Sequence, residues 1–127
     1  MTNDTAFASG LVPPYYAVVF ASRRTAGDHG YSTMAERMSS LASTMPGYLG
    51  IESARSTDGF GITVSYWTSP EAIRHWKDQA EHLAAQVMGI EHWYEHYEIR
   101  VARVERAYSG PADGVHPTAW EGSPPGP

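Results

Sequence analysis

The chain contains no cysteine. Disulfides, thiolate metal sites and cysteine nucleophiles are excluded together, and a reducing cytoplasm is the expected compartment. Basic residues are few: 9 Lys and Arg against 14 Asp and Glu, a formal net charge of −5. A surface for nucleic acid or an acidic membrane needs the opposite balance, so neither is expected as a main partner. No stretch approaches the roughly 20 apolar residues of a membrane span. The start, MTNDTAFASGLVPP, has no basic region followed by an apolar one, so no signal peptide is read. No Gly-rich phosphate loop follows a strand, no dinucleotide fingerprint is present, and spacing nominates no Ser/His/Asp arrangement. A redox role must then use oxygen directly, haem, or a cofactor without a linear motif.

What is present is one aromatic-rich domain, 42% hydrophobic with 4 Trp and 8 Tyr in 127 residues. Residues 1–13 are small and polar and read as a flexible N-terminal segment. Residues 109–127, SGPADGVHPTAWEGSPPGP, are too rich in Pro and Gly for a helix or a central strand. They read as a flexible tail in which Trp120 is the residue suited to anchoring. The folded domain is 14–108.

Within it, YYAVVFA (15–21) is a buried-strand pattern. Asp28 is placed to cap a helix running to about Thr44, with Tyr31, Met34, Met38, Leu41 and Met45 at helical spacing until Pro46-Gly47 stops it. YLGIESAR (48–55) and FGITVSYW (60–67) alternate as strands around the hairpin signal Thr57-Asp58-Gly59. Ser69-Pro70-Glu71 starts a second helix that runs to about Met88, where Gly89 ends it. YEIRVARVERAY (97–108) is the last strand. The order β-α-β-β-α-β is the ferredoxin-like split βαβ: α+β, a four-stranded antiparallel sheet with both helices on one face. The other face is apolar and needs cover, so a homodimer pairing two sheets is expected.

His92-Trp93-Tyr94-Glu95-His96 spells H-x-x-E-H, which on a helix holds zinc. Here Gly89 ends the helix before it and a strand begins after it, so the histidines are not expected to share a helical face, and no metal site is assigned. Trp93 and Tyr94 fall at a helix-to-strand junction, where they either border a pocket mouth or seal the core edge.

The second helix carries two lines. Ile73, Trp76, Ala80, Leu83 and Val87 face the sheet. Beside them His75, Gln79, His82 and Gln86 form a polar line that is either a solvated stripe or one whose inner edge, His82 and Gln86, borders a cavity between helix and sheet. Trp67 and Tyr66 face opposite sides of the sheet. Trp76 suits core packing first and a planar ligand second. Arg23 and Arg24, following the first strand, are placed either to meet an anionic substrate at the rim or simply to be solvated.

Three runs, MPGYLGIES, GITVSYWTSPEAIRHWKDQAEHLAAQ and WYEHYEIRVARVERAY, make residues 14–108 resemble the antibiotic biosynthesis monooxygenase domain. The resemblance implies a dimeric α+β barrel. For chemistry it implies either of two branches. The haem-degrading branch keeps a tryptophan early in the second helix and an iron-binding histidine ten residues later. Trp76 matches the first, but Gln86 stands at the second position, and His82 lies one turn, about 6 Å, before it. Haem is therefore the alternative cofactor and none is the primary expectation. The cofactor-free branch oxidises an electron-rich aromatic with O2 in a dry cavity. On that reading His82 is the acid/base or anion partner, Gln86 its hydrogen-bond partner, and Trp67, Trp76, Trp93 and Tyr94 are pocket walls. The resulting expectation is a cytoplasmic, homodimeric monooxygenase acting on a small aromatic or polyketide-like molecule. Its rivals are a haem or hydrophobic-ligand binder without turnover and a non-catalytic dimeric module.

Overall fold

The computed structural model describes residues 5–85 and 92–110. The elements are β1 (Tyr15–Arg24), α1 (Tyr31–Thr44), β2 (Tyr48–Arg55), β3 (Phe60–Trp67), α2 (Pro70–Ala85) and β4 (Tyr94–Val104). The strands form one antiparallel sheet in the order β2-β3-β1-β4. This is the α+β, ferredoxin-like architecture the element order predicts.

Local chemistry sets the boundaries. The Asp28 carboxylate accepts from the backbone N–H of Gly30 at 3.1 Å and of Ser32 at 3.2 Å, satisfying donors at the start of α1. Ser69 Oγ accepts from the Ala72 N–H at 3.1 Å and caps α2. Gly47, at φ +88°, turns the chain after α1. A Cβ there would stand 2.6 Å from the Ala72 Cβ, so the turn packs against α2 in a way only glycine permits. The β2–β3 hairpin closes through Ser56 N–H to the Phe60 carbonyl at 2.8 Å, with Gly59 at φ +95°. The end of α2 expected near Met88 and Gly89, the tail and Trp120 lie outside the described residues.

Cross-strand partners share a face. One face carries Trp67 and Tyr16, Ser65 and Val18, Thr63 and Phe20, then Gly61 and Ser22. The helices cover it: Ala42 of α1 and Ile73 of α2 close on Trp67, with Tyr16, Val18, Met45, Tyr48 and Trp76 around them. The helix-free face carries Tyr15, Ala17, Val19, Ala21 and Arg23 beside Tyr66, Val64, Ile62 and Phe60. Residues before β1 fold back onto it, the Ala8 N–H donating to Glu52 Oε2 at 3.0 Å.

Two irregularities adjust the faces. An extra residue at Leu49 lets Tyr48 oppose Trp67. An extra residue at Glu95 lets Tyr94 pair with Arg24 while His96 pairs with Arg23. Because of the second, β4 begins at Tyr94 and not at Tyr97, and it ends at Val104, where pairing with Tyr15 stops.

Candidate functional site

α2 leans on β3 and leaves the helix side of β4 open. Tyr97, Ile99 and Val101, opposite Ser22, Phe20 and Val18, are exposed by 53, 52 and 57%. Three apolar side chains in a row on a sheet face beside a helix form an uncovered strip. At one end the strip runs into an aromatic box. Phe20 lies 5.3 Å from Tyr94 and 5.5 Å from Tyr97, and Tyr94 lies 5.8 Å from Tyr31 of α1, ring centre to ring centre.

The box is bound to two cations. The Arg24 guanidinium lies 3.7 Å from the Tyr31 ring centre and that of Arg55 lies 5.9 Å from it. Arg24 donates from Nε to the Trp93 carbonyl and from Nη2 to the Gly27 carbonyl, both at 3.1 Å. Arg55 crosses β3 above Gly61 to donate from Nη2 to Ser22 Oγ at 2.8 Å, and from Nη1 to the Ser22 and Gly59 carbonyls. Gly61 makes this crossing possible, since a Cβ there would meet Arg55 Cζ at 2.8 Å. Burial pushes the Tyr94 phenol well above its ordinary range, and the hydrogen bond with Tyr31 adds to this while Arg55 and Arg24 pull the other way. Tyr94 is thus a neutral hydroxyl at any working pH.

The residues nominated from sequence scatter. Trp67 is fully buried, its Nε1 donating to Ser65 Oγ at 2.9 Å, and Trp76 stacks on it at 5.9 Å. Both belong to the core beneath α2. Trp93 is buried to 3%, donates to the His29 carbonyl at 3.0 Å and seals the core edge. Tyr94 does line the box. Arg23 stands on the helix-free face, paired with Asp58 at 3.4 Å, so the arginine at the site is its neighbour Arg24. His82 is exposed. It follows Ile73 by nine residues, which at about 100° per residue is half a turn away from the buried line, so it does not border the sheet. Gln86 lies outside the described residues. In H-x-x-E-H, His92 precedes β4 and His96 lies within it beside Glu98 at 2.8 Å. Sequence reading missed Phe20, Ser22, Tyr31, Arg55 and Tyr97. A signal existed: in the hairpin register a glycine, Gly61, stands opposite Arg55.

A concavity of about 440 Å³ lies elsewhere, between Leu41 of α1 and Leu83 of α2. It is open and carries none of these groups.

The family model described as antibiotic biosynthesis monooxygenase matches residues 25–87. The uncharacterized protein YqjZ of Bacillus subtilis (strain 168) is 56% identical over 94 residues, 74% of this chain and 82% of that protein. The chain belongs to the antibiotic biosynthesis monooxygenase family. Among solved structures, SnoaB, a cofactor-independent oxygenase from Streptomyces nogalater, superimposes with a TM-score of 0.62 at 13% identity, covering 75% of this chain and 97% of that one. A mutant of MhuD with two manganese protoporphyrin IX molecules bound per active site superimposes with a TM-score of 0.57 at 20% identity, covering 75% and 99%. At these identities the superpositions establish the fold.

The fold also serves a porphyrin binder. Among the described residues every histidine is exposed, and Trp76 is stacked in the core. None of these exposed imidazoles is fixed by burial, so the described residues supply no preset haem ligand.

Proposed function

We propose that this family member oxidises a planar, electron-rich aromatic molecule with O2 and without a resident cofactor. The observation that carries the reading is the uncovered apolar strip Tyr97–Ile99–Val101 ending in the Phe20–Tyr31–Tyr94 box. A flat ring lies against β4 there, with its edge toward the tyrosines. Pockets for such ligands are largely apolar with a few placed polar groups.

The chemistry asks little of the protein. A substrate CH2 next to a phenol loses a proton, and the resulting anion gives one electron to O2. The substrate radical and superoxide join through a new C–O bond. Loss of water from that hydroperoxide leaves a quinone carbonyl, so one oxygen atom enters the product and the other leaves as water. The protein holds the ring against the strip and stabilises the anion. We place the chain in a homodimer that pairs helix-free faces. Phe60 and Ile62, each 41% exposed there, support this.

The test is oxygen uptake with anthrone-like substrates. Stoichiometric uptake that Tyr97→Ala weakens through KM is the expected result. Uptake no faster than in buffer alone across a panel of such substrates would remove the oxygenase reading and leave a binding module.

A further inference from the structure

The chain carries a net charge of −5, yet two guanidinium groups meet at the aromatic box, where the Asp28 carboxylate acts on Arg24 only from beyond ion-pair distance. Four other cations are paired, Arg23 with Asp58, Arg74 with Glu71, Lys77 with Glu81 and Arg100 with Glu98, while Arg37, Arg103 and Arg106 have no ion pair among the described residues. Among the described residues neither Arg24 nor Arg55 has an acidic partner within 4.0 Å. Arg55 differs from a solvated surface arginine such as Arg37. It is held flat on the sheet by hydrogen bonds to Ser22 Oγ and to the Ser22 and Gly59 carbonyls, while remaining exposed. Those bonds occupy Nη1 and one hydrogen of Nη2, leaving the Nε–H and the second Nη2–H as donors. A guanidinium fixed by neutral acceptors keeps its full charge and loses little freedom when an anion arrives.

We infer that Arg55, oriented by Ser22, is the receptor for an ionised oxygen on the ligand of this cleft. The substrate class is therefore an acidic planar aromatic, bearing a phenolate, enolate or carboxylate oxygen beside its ring. The inference deepens the oxygenase reading and rests on the same cleft. Ser22 is buried to 2% and acts only by positioning the guanidinium. Arg24, with both Nε and Nη2 committed to carbonyls, supplies field and not contact.

Equilibrium fluorescence titration separates this inference from turnover, because it needs no reaction. The full chain is titrated with 1-anilinonaphthalene-8-sulfonate and with N-phenyl-1-naphthylamine, which has the same rings and no charge. The wild type is expected to prefer the sulfonate. Arg55→Met should lower sulfonate affinity about tenfold or more while leaving the neutral molecule within about twofold. Arg55→Lys should restore part of the preference, and Ser22→Ala should lower it. Arg37→Met, outside the cleft, should change neither. Circular dichroism confirms folding of each variant. An unchanged preference in Arg55→Met, an equal fall for both molecules, or the same fall in Arg37→Met overturns the inference while the cleft stands. Failure of the folded wild type to bind either molecule overturns the cleft as well.

Discussion

The Arg24 guanidinium lies flat over Tyr31, 3.7 Å from the ring centre, and ties the start of α1 to the junction before β4 through the Trp93 carbonyl. One side chain thus joins β1, α1 and the entry of β4. Arg24→Met keeps the aliphatic stem but removes the cation–π contact and two hydrogen bonds. A loss of about 2–3 kcal/mol is expected, read as a fall in urea midpoint with little change in slope. A smaller loss in Arg24→Lys would show that part of the effect is charge.

Trp67 and Trp76 make the second prediction. Trp67→Ala should cost about 3–5 kcal/mol, because a fully buried indole leaves a cavity and Ser65 loses its partner. Trp76, half-buried, should cost less. A double-mutant cycle with phenylalanine-to-leucine-sized changes at each should give a coupling of about 0.5–1.5 kcal/mol, measured by chemical denaturation.

Gly61→Ala tests the crossing of Arg55 over β3. The new Cβ would stand 2.8 Å from Arg55 Cζ and 2.9 Å from the Ala54 carbonyl oxygen. Arg55 must lift off Ser22, at a cost of about 1–3 kcal/mol in thermal or urea unfolding. A variant as stable as the wild type would mean that Arg55 has an equally good second resting place.

Asp58 in the β2–β3 turn is held well below the ordinary carboxylate range, down to about 2, chiefly by the Ser56 hydroxyl, then by the Phe60 N–H and Arg23. Its lowered folded-state value means that its stabilising effect is present above the ordinary 3.8 and is lost as pH falls toward about 2. Asp58→Asn should flatten the decline of melting temperature across that window. A carboxyl carbon resonance of Asp58 that titrates near 3.8 would remove the premise.

Haemin titration is expected to give no stoichiometric Soret band at micromolar concentration. His82→Ala should leave oxygen uptake unchanged, as its exposed position on α2 implies. A Soret band in the wild type that His82→Ala abolishes would instead make haem central.

The fold was legible because its punctuation is chemical. Asp28, Pro46-Gly47, Asp58-Gly59 and Ser69-Pro70 each mark a boundary that the backbone obeys. The site was less so. Trp67, Trp76 and Trp93 looked like pocket walls because aromatic residues serve cores and ligands equally, and burial separates them only in three dimensions. His82 was misplaced because it was read as the inner edge of a polar line, whereas its nine-residue spacing from Ile73 puts it half a turn from the buried one. Arg55 and Ser22 are 33 residues apart and no local spacing links them.

The extra residue at Glu95 works as a phase shifter for β4. Beyond it, odd-numbered positions, Tyr97, Ile99 and Val101, line the cleft, while Glu98 and Arg100 lie on the opposite face. A ladder that ran on from the Arg24–Tyr94 pairing without the bulge, with Glu95 against Arg23, would invert the alternation and floor the cleft with His96, Glu98 and Arg100. The extra residue thus lets two positions three apart in sequence, Tyr94 and Tyr97, share the cleft face. In this chain the odd spacing of Tyr94 and Tyr97 marks the bulge that keeps the cleft floor apolar.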